Sequence, residues 1–250
     1  MSNSPKAKIL LVNDHLPTYS KPFDFLGLEY TSRMEGFDKG EIALVVFTGG
    51  CDVTPGLYGR GTHKRTRCDI ERDVYENKIY TFARAAGIPM VGICRGAQFL
   101  CVMAGGRLVQ DISGHHGSHE VTVFVPGSTG KGERIRVSSD HHQMQFPFDL
   151  QAVADYFIFA WSPTPLSDHY DFDDKISVSI KDATDELKTE PDVVWYPRSK
   201  ALGVQYHPEW MHEDSRGFKY FRELVEHLII PIMENNGHYH RGKKATQAAG

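Results

Sequence analysis

The sequence predicts an α/β protein: a doubly wound, mostly parallel sheet flanked by helices. Three observations carry that reading. Two short apolar runs, Lys8–Val12 (KILLV) and residues 42–48 (IALVVFT), have the length and unbroken apolar character of strands buried on both faces. A strongly patterned helix, residues 69–86, follows the second of them. Residues 88–108 then run an apolar strand directly into an apolar helix. Strand and helix alternate over the first half, the pattern of a sheet that takes its ligands at the carboxyl ends of its strands.

Taken in order, Lys8–Val12 ends in a loop at Asn13, Asp14 and His15. The run at 42–48 stops at Gly49 and Gly50, where backbone must turn tightly or approach a ligand closely. Residues 52–61 (DVTPGLYGRG) carry too many breakers to be anything but loop. The helix at 69–86 has an N-cap in Asp69, apolar residues at Ile70, Val74, Ile79, Phe82, Ala83 and Ala86, a C-cap in Gly87 and Pro89 just beyond. Strands are expected at 119–125 and 134–137, joined by a hairpin turn at 127–130, with further candidates at 151–159 and 192–196. Residues 161–190 are irregular and acidic, eight carboxylates against three lysines, and read as a solvated excursion, with a lid or docking loop as the functional alternative. A last strand at 201–206 precedes a closing amphipathic helix at 214–230, with Phe218, Phe221, Leu224, Val225 and Leu228 on one face. One domain therefore spans 1–232, and the polar, basic residues 233–250 read as a disordered tail.

Composition narrows the function. A formal net charge of −4 supplies no basic field for nucleic acid or an anionic membrane, so small-molecule chemistry is the better fit. No apolar leader and no membrane-length run is present, and the expected compartment is cytoplasmic. Four cysteines without paired spacing (Cys51, Cys68, Cys94, Cys101) read as reduced thiols.

The strand-to-helix turn Gly92-Ile93-Cys94-Arg95-Gly96 is a nucleophile elbow with cysteine at its centre, flanked by glycines two positions away on each side. A cysteine there sits at a helix N-terminus, which favours thiolate, and the N–H of Arg95 points where an oxyanion would form. The competing reading is an inert buried thiol, which is how Cys101 is taken. A cysteine nucleophile needs a base, and the base an orienting group; His207-Pro208-Glu209, after the final strand, offers both. Pro208 biases His207 toward extended backbone, where residues two apart face the same way, so Glu209 can reach one imidazole nitrogen and leave the other for the thiol. With 13 histidines in the chain, His207 alone would mean little; its coincidence with the elbow is what counts.

The elbow, the Gly49-Gly50 loop and His-Pro-Glu, in this order on an α/β framework, make the sequence resemble the class I glutamine amidotransferase superfamily over roughly residues 8–230, a flavodoxin-like architecture. Within it, the chain is more similar to the γ-glutamyl-γ-aminobutyrate hydrolase branch, peptidase C26. Four stretches carry that likeness: residues 49–53 with Leu57-Tyr58-Gly59; Arg72-Asp73 with Glu76; Cys94-Arg95-Gly96; and residues 139–143 ahead of 205–210. The resemblance implies Cys94 as nucleophile, His207 and Glu209 as its partners, the amides of Gly50 and Arg95 as an oxyanion hole, and Gln98, His141 and Gly49 as substrate-binding positions. Cys51, where a small residue or proline is commoner, and the acidic stretch before Pro191 depart from the family pattern.

The resulting expectation is a cysteine-dependent amidase that hydrolyses a γ-glutamyl amide through a γ-glutamyl thioester, with no metal and no organic cofactor. Its partners would be the small-molecule substrate and, as alternatives, a synthetase or a second copy of the chain. Two other functions stand beside it: the glutaminase subunit of an amidotransferase that passes ammonia to a synthetase, and a non-enzymatic binding module. Histidines 115, 116, 119, 141 and 142 could serve as metal ligands but lack the spacing of a zinc motif.

Overall fold

The computed structural model describes residues 7–13, 17–37, 40–127 and 132–239. The first half contains β1 (Lys8–Val12), β2 (Glu29–Thr31), β3 (Ile42–Phe47), α1 (Ile70–Ala86), β4 (Met90–Ile93) and α2 (Arg95–Met103). The second half adds β5 (Arg107–Val109), β6 (Asp111–Ile112), β7 (His116–Val123), β8 (Glu133–Asp140), β9 (Met144–Phe146) and β10 (Phe157–Trp161). It continues with β11 (His169–Asp171), β12 (Ser177–Ser179), α3 (Asp185–Thr189), β13 (Pro191–Tyr196), β14 (Ala201–Val204), α4 (Arg216–Leu224) and α5 (Ile230–Asn235).

Nine of these strands form one sheet in the order β2-β1-β3-β4-β14-β13-β10-β7-β8. From β2 to β14 the neighbours are parallel, and from β14 outward each pairing is antiparallel. The expected doubly wound sheet is thus its parallel half, extended by an antiparallel wing. Register matters most for function: Phe47 lies opposite Gly92, and Ile93 opposite Val204. The segments leaving β3, β4 and β14 therefore emerge side by side at one edge. The sheet is covered on both faces, by Phe23, Tyr220, Phe221 and Leu224 on one side and by Ile79, Tyr80, Phe99 and Leu100 on the other. Burial on both faces is why β1, β3 and β4 read as continuous apolar runs.

Several expectations are corrected. Residues 161–190 are not a solvated excursion: β11 pairs with β12 and with β6, and Tyr170, Phe172, Ala183 and Leu187 pack on Val109, Ile112, Met144 and Phe146 in a satellite core. Their apolar residues are scattered among carboxylates, so no period announces them. One of those carboxylates, Glu190, is itself buried and accepts hydrogen bonds from the N–H groups of Leu166 and Ser167 and from the Tyr170 hydroxyl. In α1 the inner face is Asp73, Glu76, Ile79, Tyr80 and Ala83, whereas Ile70 and Val74 are about two-thirds exposed, at 64% and 66%. Of the candidate strand at 151–159 only the part from Phe157 onward is strand, and β8 runs three residues past the expected end. The closing helix is capped by Ser215, passes through a π-helical stretch at Val225–Ile229 and continues to Asn235 with Met233 buried, so ordered structure crosses the boundary placed at 232. The hairpin turn expected at 127–130 and the tail from 240 onward fall outside the described residues, wholly or in part. Among the described residues no helix is long and apolar enough to cross a membrane.

Candidate active site

At the end of β4 the chain turns into α2 through Cys94, whose φ of 53° and ψ of −108° are strained for a residue with a Cβ. The flanking glycines explain how so sharp a turn can pack. A Cβ on Gly92 would collide with the backbone of Gly96 and Ala97, and one on Gly96 with the carbonyl of Phe47 in β3. The Cys94 N–H donates to the Val204 carbonyl at 2.8 Å, tying the turn to β14. Arg95 begins α2, so its N–H belongs to the first turn and has no acceptor within the helix.

His207 follows β14 and is fixed from β8: its N–H donates to the Ser138 carbonyl at 3.0 Å, and its own carbonyl accepts from the Ser138 hydroxyl at 2.6 Å. Nδ1 lies 2.6 Å from Glu209 Oε1. Nε2 is buried and its electrostatic partner is Cys94, whose Sγ–H also donates to the Asp140 carbonyl at 3.9 Å. Burial pulls the imidazole pKa down, but hydrogen bonding to Cys94 and Glu209, together with their charges, outweighs it and raises the pKa to about 10. Trp210 stacks on the ring at 3.7 Å between centroids and 4° between planes, which fixes the plane of the imidazole.

The loop after β3 forms the facing wall. Gly50 has a φ of 133°, and a Cβ there would run into the Arg72 guanidinium. Arg72 in turn donates to the Thr48 carbonyl at 2.9 Å and to Glu76 at 2.8 Å. The Gly49 N–H donates to the Tyr19 hydroxyl at 3.1 Å, and a Cβ on Gly49 would meet both Tyr19 and the His207 ring. Burial raises the Tyr19 pKa, and the nearby Glu209 and Cys94 raise it further, so the phenol stays protonated. Arg95 projects from α2 into the interior, ion-pairs with Asp73 and Glu76 of α1, and donates through Nε to the Cys51 carbonyl at 3.2 Å. Burial, then the repulsion of Arg72, lowers its pKa to about 10 against the pull of Asp73.

Two adjoining cavities open here. One of about 380 Å³ is lined by Tyr19, Gly49, Gly50, Asp69 and Arg72, among others. A second of about 200 Å³ is lined by Gly50, Asp52, Cys94, Gln98, Asp140 and His141, among others. Gln98 Nε2 donates to the Gln143 carbonyl at 3.0 Å, and His141 Nδ1 lies 2.9 Å from the same oxygen. Burial first, then the neighbouring His115 and His119, holds the His141 pKa well below the usual imidazole value, leaving it neutral with a free, buried Nε2.

All the residues singled out in the sequence, Gly49, Gly50, Cys94, Arg95, Gln98, His141, His207 and Glu209, therefore meet around one edge of the sheet. Sequence reasoning missed Tyr19, which arrives from a 3-10 segment containing Pro22 with no periodicity to mark it. The pocket residues Asp52 and Asp140 fall within the stretches that carry the resemblance, 49–53 and 139–143, with no role assigned to them there. Of the histidines considered as metal ligands, His115 lies against His119 and His141, at 5.0 Å and 4.6 Å between ring centroids, while His115 and His119 pair with Glu190 and Asp192, each at 3.0 Å. A different group does lie within reach of an ion among the described residues, namely His63, Asp111 and Asp171.

Comparison with known proteins finds the same kind of chain. The peptidase C26 family model matches residues 39–147, a span that holds Gly49, Gly50, Cys94, Gln98 and His141 but not His207 or Glu209. A protein of Mycobacterium tuberculosis provisionally named a glutamine amidotransferase is 30% identical over 190 residues, 70% of this chain and 53% of its own. A Lactococcus lactis protein, provisionally named glutamine amidotransferase-like, is 35% identical over 116 residues, 40% of this chain and 49% of its own. The chain thus spans about half the length of these two relatives. Among solved structures, a Thermoplasma acidophilum protein provisionally described as a GMP synthase subunit superposes with a TM-score of 0.58 at 16% identity, covering 92% of this chain and 95% of its own. At that identity the likeness is one of fold.

Proposed function

From a chain that matches the peptidase C26 family model and carries a class I glutamine amidotransferase fold, we propose a cysteine-dependent amidase that hydrolyses a γ-glutamyl amide. One observation carries the reading: a strained Cys94 in the elbow, coupled electrostatically to an imidazole whose Nδ1 is held by Glu209 at 2.6 Å. The Cys94 sulfur attacks the γ-carbonyl carbon, and the amides of Gly50 and Arg95 hold the oxyanion. As the C–N bond breaks, the His207 imidazolium gives its proton to the departing amine or ammonia, leaving a γ-glutamyl thioester. The same imidazole, oriented by Glu209, then takes a proton from water; attack of that water expels the Cys94 thiolate and releases glutamate. Gln98, His141 and Gly49 shape the pocket that receives the glutamyl group.

The alternative is a glutaminase half that feeds ammonia to a synthetase. The observation in its favour is the outer face of α1, where Ile70 and Val74 stand exposed beside Asp69 and Arg72 at the mouth of the larger cavity. Both readings share the thioester. The test is rapid acid quench and mass analysis of the chain with a panel of γ-glutamyl amides, together with identification of the released amine. A glutamyl adduct on Cys94, absent in Cys94→Ala, is expected. An adduct on Cys51, Cys68 or Cys101, or none with any member of the panel, overturns the assignment.

A further inference from the structure

Behind the substrate cavity lies a group of side chains that the proposed chemistry does not use. We propose that His63, Asp111 and Asp171 form a binding site for a divalent transition ion, which fastens the loop after β3 to β6 and β11. This departs from the metal-free chain expected from the sequence, because the three ligands lie 48 and 60 residues apart along the chain and share no motif.

The backbone brings them together. In the antiparallel pairing of β6 with β11, Asp171 lies directly opposite Asp111. Two like charges in opposed positions destabilise a sheet, and here Asp111 is only 4% exposed. His63, 2% exposed, comes in from the loop with Nε2 at 3.5 Å from Asp171 Oδ2. One ligand atom from each of the three residues lies within 4.8 Å of the others. The second observation is that Oδ1 of Asp111 and Oδ1 of Asp171 are both buried without a hydrogen bond, Asp111 Oδ1 having the longer 3.5 Å ion-pair contact with His142 Nδ1. Arg65 ion-pairs with Asp111 Oδ2 at 3.3 Å, but its side chain is 54% exposed and water screens it.

One imidazole and two carboxylates are a nitrogen and oxygen donor set for Zn²⁺ or Mn²⁺, with no thiolate to select a softer ion. At metal–ligand distances of about 2.1 Å, neighbouring ligand atoms sit roughly 3.3 Å apart, so the group needs only a small contraction. His142 and His169, at 3.5 Å and 3.4 Å from Asp111, stand ready as a further ligand or an outer support. Coordination through Nε2 puts the His63 proton on Nδ1, so the long 3.4 Å contact from the Arg65 N–H gives way when the ion binds.

The neighbouring Gln110 shows what the ion would complete. Its Oε1 accepts from the His63 N–H at 2.9 Å and from the Thr66 hydroxyl at 2.8 Å, while Nε2 donates to the Gly61 carbonyl at 2.7 Å. The loop is thus latched at the same place from the bend between β5 and β6. Its continuation includes Arg67, which together with Asp52 lines the cavity beside Cys94. His142 also reaches Asp52, at 3.3 Å. The ion is a fastener of the cavity wall and takes no part in bond breaking.

The test uses the full chain, stripped with a chelator and then titrated with Co²⁺, Zn²⁺ and Mn²⁺ under elemental analysis. One equivalent per chain is expected, with a visible Co²⁺ absorption of the nitrogen and oxygen type and a rise in Tm of roughly 10 °C at saturating Zn²⁺. Asp171→Asn and His63→Gln should lose both, and metal-free Asp171→Asn should melt no lower than the metal-free parent, since a carboxylate repulsion has been removed. The stoichiometry and Tm of the parent decide the matter even if a variant fails to fold. Absence of retained metal, a sulfur-to-cobalt charge-transfer band, or equal binding by parent and folded variants overturns the proposal.

Discussion

Cys94 and His207 are set by position more than by residue type, since the chain holds four cysteines and 13 histidines. Replacing Cys94 with alanine should abolish turnover with the fold intact, and a glutamine-mimicking diazo-ketone should label the parent once, at Cys94; peptide mapping reads the site. His207→Ala should cost about 10⁴-fold or more in kcat/KM and Glu209→Gln less, with little added in combination with Cys94→Ala, because the three act as a unit. The His207 pKa of about 10 gives a separate readout. A folded-state value above the ordinary 6.5 means that the folded chain holds this proton more tightly than the unfolded chain. The associated stability is complete below pH 6.5 and is lost as pH rises through about 10. The imidazole resonance, assigned by its loss in His207→Gln, should titrate near that value in the parent and lower in Cys94→Ala and Glu209→Gln. An unchanged midpoint in both variants would show that Cys94 and Glu209 do not set it. These residues were legible because each lies in a short motif at the end of a patterned strand. Tyr19 was not, because a hydroxyl that meets Gly49 from 30 residues away leaves no trace in local pattern.

Between α1 and α2 a buried clasp decides where the loop after β3 stands. Arg95 is 1% exposed and lies between Asp73 and Glu76, while its Nε and the Arg72 guanidinium hold the carbonyls of Cys51 and Thr48. Removing one partner leaves an uncompensated charge in the interior, so Glu76→Ala should destabilise the fold by about 3–5 kcal/mol, measured by denaturant unfolding. Glu76→Gln keeps the volume and one hydrogen-bond acceptor, and should lose less stability. Its kcat should still fall more than its KM rises, because the Gly50 amide is held through the same clasp. The glycines of the elbow obey the same geometry from the other side: Gly96→Ala drives a Cβ into the Phe47 carbonyl and should prevent folding, seen as loss of soluble monomer. The clasp also explains what the sequence concealed in α1. Its length and caps were plain, but the face turned to the core carries two carboxylates, so a count of apolar positions put Ile70 and Val74 on the wrong side. In residues 161–190 the reverse holds, since buried Tyr170 and Glu190 sit in a stretch whose composition reads as solvated.

Across the whole molecule, the parallel half of the sheet was legible because strands buried on both faces are unbroken apolar runs, and the antiparallel wing was blurred because one-sided strands such as β8 mix charge with apolar residues. That wing supplies Ser138 to anchor His207 and Asp140 to wall the cavity, so both halves are needed to build the pocket. The last prediction follows from that closure: the chain should act alone, as a hydrolase. A glutaminase that serves a synthetase gains by staying idle until docked, since free ammonia is wasted, and its pocket is completed by the partner. Here His207 is already held by Glu209 at 2.6 Å and coupled electrostatically to Cys94, and the walls of the smaller cavity come from this chain's own loop after β3, α2 and the residues after β8. The larger cavity, next to Gly50 and Arg72, leaves room for a leaving group bigger than ammonia. The purified chain should therefore split a γ-glutamyl amide of a bulky amine with a kcat/KM equal to or above that for glutamine, and the rate should scale linearly with enzyme concentration. Covering the outer face of α1 is the opposing possibility, and Ile70→Glu with Val74→Glu tests it: a self-sufficient hydrolase keeps its rate. Negligible hydrolysis by the chain alone, with strong stimulation of glutamine hydrolysis by a co-purifying synthetase that the double variant abolishes, would move the protein to the ammonia-supplying class with Cys94, His207 and Glu209 in the same roles.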